Sequence, residues 1–261
     1  MKVQELFDLT GEVAMVTGGA GRLGFPMAIA LAEAGAAVVI ASRNEDKCEK
    51  AVESLTQRGF KALAVKMDIT DAAQISTGIA TVVDKLGKID ILVNNSGIAR
   101  RALLDTAKLE DWQAVIDTNL TGTFLCSQAV AKFMMEQKNG KIINIASIYG
   151  LVGVDQRMYE KTPDMVPGSV PYTASKGGII NLTRDMAVYL APYNIQVNAI
   201  SPGGFRATQD DEFLKRYVSR VPLGRMGGED DLKGVIVLLA SRASDYITGH
   251  NLVVDGGWTA W

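Results

Sequence analysis

Tyr172 and Lys176 stand four positions apart in the stretch YTASK. On a helix, positions i and i+4 share a face, so the phenol and the amine can reach into one cleft. A tyrosine ordinarily gives up its proton near pH ~10 and is a poor base at neutrality. A neighbouring ammonium favours the phenolate and lowers that value. Such a pair can hand a proton to a carbonyl being reduced, or take one from an alcohol being oxidised. Tyr and Lys also fall four apart on many exposed helix faces, so the pair needs company. Ser147 offers a hydroxyl at the end of INIAS, and VNNSG puts Asn94, Asn95, Ser96 and Gly97 at the end of another apolar run. Asn119, in DTNLTG, lies in a helix-period stretch, where propensity does not favour an amide.

The stretch MVTGGAGRLG supplies a second kind of chemistry. Gly19, Gly21 and Gly24 fit G-x-G-x-x-G between a strand and a helix, the setting that a dinucleotide fingerprint requires. Glycine lets the backbone approach a pyrophosphate, and the helix N-terminus offers free N–H donors. The end of the next strand should read the adenosine ribose. It carries Ser42 and Arg43 rather than a carboxylate. A cation there suits a 2′-phosphate, and Arg22 in the turn could add a second positive charge, so NADP(H) is favoured and NAD(H) is possible.

These residues need elements to hold them. Strand-length apolar runs fall at 12–17, 37–42, 61–68, 90–95, 141–147, 195–201 and 251–255. Helix-period stretches fall between them at 25–35, 45–59, 71–86, 109–137, 173–191 and 230–241. Asn44 could cap the second helix, and the segment after 201 is mixed. Alternating strands and helices predict an α/β fold with a doubly wound, mostly parallel seven-stranded sheet and helices on both faces. Ligands in such sheets sit beyond the carboxyl ends of the strands, where the chemistry-bearing residues fall.

Composition narrows the classes. The 261 residues are 48% apolar and 21% charged, with a net charge of −2. These values predict one folded domain over 1–261, with no nucleic-acid or membrane partner. No apolar run reaches the length of a membrane span, and the N-terminus lacks a signal-peptide layout, so a cytoplasmic protein is expected. His250 is the only histidine, which leaves little for a His-based triad or metal site; no metal is expected. Cys48 and Cys126 read as reduced packing residues.

VTGGAGRLG, KMDIT, NNSG, DTNLTG, INIAS, YTASK, NAISPGG and ITGHNLVVDGGW, in that order, resemble the short-chain dehydrogenase/reductase family over nearly the whole chain. The resemblance implies a Rossmann-type fold and a catalytic tetrad of Asn119, Ser147, Tyr172 and Lys176. Tyr172 would be the general acid/base, Ser147 would hold the substrate oxygen, and Lys176 would lower the Tyr172 pKa and hold the nicotinamide ribose. Asn119 would fix a water in a proton relay. Cofactor contacts would come from Gly18, Gly21, Arg22, Leu23, Gly24, Ser42, Arg43, Asp68, Ile69, Asn95, Ser96, Gly97, Tyr172, Lys176, Pro202, Gly203, Phe205 and Thr208. Ser147, Tyr149, Tyr159 and Gly204 would face the substrate. The family is often tetrameric, so a homo-oligomer is expected.

Three departures stand out. Compact members usually carry glycine where this chain has Arg22. The turn spacing instead resembles the extended branch, which includes sugar-nucleotide epimerases. Ser147 and Tyr172 are separated by 25 positions, about twice the family's usual number. The stretch 148–171, with Tyr149, Met158 and Tyr159, is expected to form a substrate-side loop or lid. Ala207 stands where a nicotinamide-contacting threonine is common, and Thr208 follows it. The expected activity is hydride transfer between a nicotinamide and a carbonyl or secondary alcohol. PLGRMGGEDD and VVDGGWTAW resemble sugar-acid and polyol dehydrogenases, among them gluconate 5-dehydrogenase-like proteins, and Arg100, Arg101 and Arg206 could attract a carboxylated substrate. The alternatives are a non-catalytic dinucleotide sensor or scaffold, or an epimerase.

Overall fold

The computed structural model describes residues 1–100, 103–159 and 169–261. Seven strands form one sheet: β1 (Val13–Thr17), β2 (Ala37–Ser42), β3 (Ala62–Lys66), β4 (Ile91–Asn94), β5 (Gly140–Ile145), β6 (Ile195–Pro202) and β7 (Asn251–Val254). Their order is β3-β2-β1-β4-β5-β6-β7. Every pairing is parallel, so the sheet is parallel throughout rather than mostly so. Helices α1 (Val3–Leu6), α2 (Gly24–Glu33), α3 (Glu45–Gln57), α4 (Ala72–Leu86), α5 (Leu109–Ile116), α6 (Gly122–Gln137), α7 (Val170–Leu190), α8 (Asp211–Val218) and α9 (Lys233–Ala240) complete the described chain.

Successive side chains on a strand point to opposite faces, and the two cores follow that rule. Ala14, Val16, Val38, Ile40, Ile91, Val93, Ile143 and Ile145 turn to one face, with Met27 and Leu31 of α2, Cys48 and Leu55 of α3, and Ile236 and Leu239 of α9. Val13, Met15, Val39, Leu92, Ile142 and Val197 turn to the other, with Ile79 of α4, Val130 and Met134 of α6, and Leu190 of α7. Burial on both sides explains why the central strands read as unbroken apolar runs. Both cysteines are buried and free, and burial pushes the Cys126 thiol up to about 12.

The strand order reverses between β1 and β4, and the chain splays apart beyond their carboxyl ends. Asn44 and Asp71 cap α3 and α4 with their side chains. His250 is exposed just before β7 and donates its backbone N–H to Asn198, a structural position. The predicted helix over 109–137 is interrupted: α5 and α6 are joined by a π-helical turn, Asp117–Thr121. The mixed segment after β6 holds α8, which the sequence pattern did not reveal. Of its side chains only Phe213 and Tyr217, four apart, are buried. No helix of the described residues is long and apolar enough to cross a membrane.

Candidate active site

A cavity of about 670 Å³ opens at the carboxyl ends of β1, β2, β4, β5 and β6. One wall is the glycine turn. Thr17 and Asn95 stitch that turn to the end of β4: the Thr17 hydroxyl accepts from the N–H groups of Asn95 and Ser96 at 3.0 and 3.1 Å. The Asn95 amide donates to the Thr17 and Gly18 carbonyls at 3.0 and 3.1 Å. Gly18 has φ +61°, which side chains rarely adopt. Gly24 does not reach the cavity. A Cβ there would lie 2.3 Å from the Gly18 carbonyl oxygen, so this glycine lets α2 pack under the turn.

Gly18, Gly21, Arg22, Leu23, Ser42, Arg43, Asp68, Ile69, Asn95, Ser96, Gly97, Pro202, Gly203 and Phe205 all line the cavity, with Ser147, Tyr172 and Lys176. Thr208 does not; it is exposed on the loop after β6. Arg43 and Lys47 face the end of the cavity where Ser42 sits, and Arg43 stands 4.0 Å from Asp68. Lys47 was missed from sequence, although it lies in the first turn of α3, three residues after the Asn44 cap. Arg22 departs from expectation. Its guanidinium joins neither Ser42 nor Arg43 but donates to the Phe205 and Arg206 carbonyls at 2.7 and 3.1 Å. The turn positions its stem toward β6 rather than β2.

The opposite wall carries the proton-handling groups. Ser169 caps α7 by accepting from the Tyr172 N–H. That cap starts the helix so that Tyr172 and Lys176 face the cavity together. Ser147 follows β5 and lines the cavity with Tyr172; its hydroxyl accepts from Tyr149 N–H at 3.1 Å. Lys176 Nζ donates to the Ile145 carbonyl at 2.7 Å and lies 5.7 Å from the centre of the Tyr172 ring. Burial lowers the Lys176 pKa to about 8. Burial also pushes Tyr172 above its ordinary value, against the lowering effects of the Ser147 hydrogen bond and the Arg22 charge. Burial is the largest influence on Tyr172, because shielding from water penalises the phenolate.

Asn119 is fully buried in the π turn. Its Oδ1 accepts from Ile98 N–H at 2.8 Å, and its Nδ2 donates to the Ile98 carbonyl and the Ser175 hydroxyl at 3.0 and 3.1 Å. It therefore ties the loop after β4 to α7, one residue from Lys176. The widened turn explains how an amide sits there.

Tyr149 and Tyr159 are half-buried, with hydroxyls 3.0 Å apart. Tyr159 rests on Phe213, Phe213 on Tyr217, and Tyr217 on Trp258, at centroid distances of 5.6, 5.9 and 4.6 Å. Burial raises the pKa of Tyr149 and of Tyr159. Met158 is buried in this cluster. Neither tyrosine lines the central cavity, and nor does Gly204, whose N–H donates to the Tyr217 hydroxyl at 2.5 Å. The rest of the expected loop, 160–168, lies outside the described residues, as does Arg101. Arg100 pairs with Asp111 at 2.8 Å, and Arg206 is exposed.

The cleft thus joins a glycine cradle with close-packed turns to a phenol, a hydroxyl and an amine. The sequence pattern of the family described as Enoyl-(Acyl carrier protein) reductase matches residues 18–259. The 5-keto-D-gluconate 5-reductase of Escherichia coli (strain K12) is 39% identical over 261 residues, covering 98% of each chain. A 3-oxoacyl-(acyl-carrier-protein) reductase of Synechocystis sp. is 42% identical over 253 residues, 95% of this chain and 97% of its own. The crystal structure of a gluconate 5-dehydrogenase from Burkholderia cenocepacia J2315, in complex with NADP and tartrate, matches with a TM-score of 0.91 at 38% identity over 100% of both chains. The chain belongs to the short-chain dehydrogenase/reductase family. This short-chain dehydrogenase/reductase is accordingly a nicotinamide-dependent oxidoreductase. Its cavity fits a dinucleotide: glycine backbone lies at one end of β1, cations lie beyond β2, and small residues follow β4.

Proposed function

We propose that this protein uses NADP(H) to interconvert a keto sugar acid and the corresponding hydroxy acid. The observation that carries the reading is the convergence of Ser147, Tyr172 and Lys176 on the cavity that the glycine turn also lines. Gly18, Gly21 and Asn95 would hold the diphosphate, Asp68 the adenine side, and Lys176 the nicotinamide ribose. When bound, the cofactor supplies or accepts the hydride. Ser147 binds the substrate oxygen, and Tyr172 passes the proton to or from it. A raised pKa keeps Tyr172 protonated at neutral pH, the form needed to reduce a carbonyl. Asn119 positions α7 through Ser175 and the loop through Ile98. We take NADP(H) over NAD(H) because Arg43 and Lys47 flank Ser42 where a 2′-phosphate would lie.

The relatives named above act on sugar acids or on acyl carriers, so the substrate side decides between them. Tyr149 N–H donates to the Ser147 hydroxyl and the Tyr149 phenol pairs with that of Tyr159, and polar groups following Ser147 favour a short hydroxylated substrate over an acyl chain. We assign 148–159 and 169–171 to the substrate side for the same reason. The chain is read as one cytoplasmic nucleotide-binding domain that assembles as a homotetramer. Exposed Leu109, Trp112, Phe124, Val188 and Tyr189 on α5, α6 and α7 support assembly.

The test is a panel of keto sugar acids, keto sugars and short 3-oxoacyl thioesters, each with NADPH and with NADH. The expected result is fastest nicotinamide oxidation with a keto sugar acid and NADPH. Preference for a 3-oxoacyl thioester would overturn the substrate class. Tight NADPH binding without turnover on any compound would favour a sensor.

A further inference from the structure

The glycine turn and the loop after β6 meet through one side chain. Arg22 donates from a single guanidinium nitrogen to the carbonyls of Phe205 and Arg206. Arg22 and Phe205 both line the central cavity, so this bridge runs along its wall. Among the described residues, no other hydrogen bond joins the turn to the loop. On its far side the loop is fastened to the body of the protein. Arg206 N–H donates to the Gly227 carbonyl at 2.9 Å, Gly227 N–H to the Gly204 carbonyl at 2.9 Å, and Gly204 N–H to the Tyr217 hydroxyl. Tyr217 in turn leads, through Phe213, to the Tyr159–Tyr149 pair beside Ser147.

A guanidinium has five N–H donors in a rigid fork. Two are spent on the carbonyls, and the other three have no partner among the described residues. Arg22 lines the cavity together with Gly18 and Gly21, whose backbone would hold a diphosphate, and a forked cation suits phosphate oxygens. A glycine at this position, the usual residue of compact members, could make neither contact.

We propose that Arg22 is a strap that makes closure of the 203–209 loop depend on a diphosphate in the glycine turn. The proposal rests on the dinucleotide reading above. A diphosphate engages the three spare donors and stiffens the arginine. The stiffened arginine holds the Phe205 and Arg206 carbonyls, and with them the loop that leads to the substrate-side phenols. The nicotinamide is not required for this; the diphosphate is.

Exposed Arg206 lies in the loop and gives trypsin a direct report on its closure. Arg58, half-exposed at the end of α3, serves as an internal control. NADPH and ADP-ribose, which share the diphosphate but not the nicotinamide, are titrated by calorimetry and then added at saturation during digestion. In the wild type, both should slow cleavage after Arg206 by roughly tenfold or more, the size expected from hydrogen bonds to a charged group, and leave cleavage after Arg58 unchanged. Arg22→Met should still bind both at higher concentration and show no protection at Arg206. Matching melting curves for the two proteins would confirm an intact fold. Protection in Arg22→Met equal to the wild type would overturn the strap. So would NADPH binding to the wild type without protection of Arg206, or protection by NADPH but not by bound ADP-ribose. Failure of the wild type to bind NADPH or NADH at all would overturn the dinucleotide reading itself, and the strap with it.

Discussion

Lys176 carries an ammonium into a place that water barely reaches, with one carbonyl acceptor at 2.7 Å. Its folded pKa of about 8 lies below the ordinary 10.5. Below pH about 8 the folded protein must hold a proton that burial disfavours, while the unfolded chain holds the same proton freely. The stability penalty is therefore full at pH 7 and fades as pH rises from about 8 to 10.5. Lys176→Met should melt higher than the wild type at pH 7 by scanning calorimetry, with turnover lost, and the gap should narrow at alkaline pH. A lower melting point at pH 7 would contradict this. At the residue scale, the Tyr172–Lys176 pair was legible from its spacing together with Ser147, Asn119 and the VNNSG strand end. The direction of the Tyr172 shift was not legible, because burial is a property of the folded surroundings and not of a pair four positions apart. Arg22 shows the same limit: its charge was visible in the sequence, but the partner it reaches was not.

The elements that carry these residues are locked by polar contacts inside the molecule. Asn94 on β4 donates to Ser127 on α6 and to Asn144 on β5, each at 2.9 Å, and Asn144 donates to Thr183 on α7 at 2.9 Å. All four are buried. The chain of bonds fixes α6 and α7 against the sheet, and with them Asn119 and Tyr172. Asn144→Leu strips Asn94 and Thr183 of a partner each. It should cost about 2–4 kcal/mol in urea unfolding; a change below about 0.5 kcal/mol would show that the network does not brace the fold. Gly24→Ala forces a Cβ against the Gly18 carbonyl and should weaken NADPH binding by roughly tenfold or more, read by fluorescence titration, since moving backbone in a close-packed turn is costly. Strand and helix positions were readable where periodicity is strong, as in β2, whose residues 37–42 were placed from the apolar run alone. The π turn was not readable, since its residues keep a helical period. Helix α8 was hidden by charged residues around its two buried aromatics.

Across the whole molecule, the parallel sheet brings segments far apart in sequence to one edge. Arg43 after β2, Ser147 after β5 and Phe205 after β6 share a cavity because all three strands end on the same side. Sequence reading anticipated that edge through the fold class, whereas the order of strands and the contact between the turn and the β6 loop needed the folded chain. Cofactor choice belongs to this scale, because Arg43 and Lys47 reach the cavity from different elements. Arg43→Ala should lower the ratio of kcat/KM for NADPH over NADH by roughly tenfold, the value of a charge-assisted hydrogen bond to phosphate. An unchanged ratio would remove Arg43 from cofactor selection. Assembly is read by light scattering of the eluted protein, where a tetramer is expected and a monomer would contradict the proposed role of the exposed α5–α7 side chains. The most direct test of the whole account is the steady-state rate of keto sugar acid reduction by Tyr172→Phe with saturating NADPH. The account predicts a rate lower by about 10²–10⁴, the contribution of a positioned general acid, with NADPH affinity unchanged. A wild-type rate in that variant would contradict it.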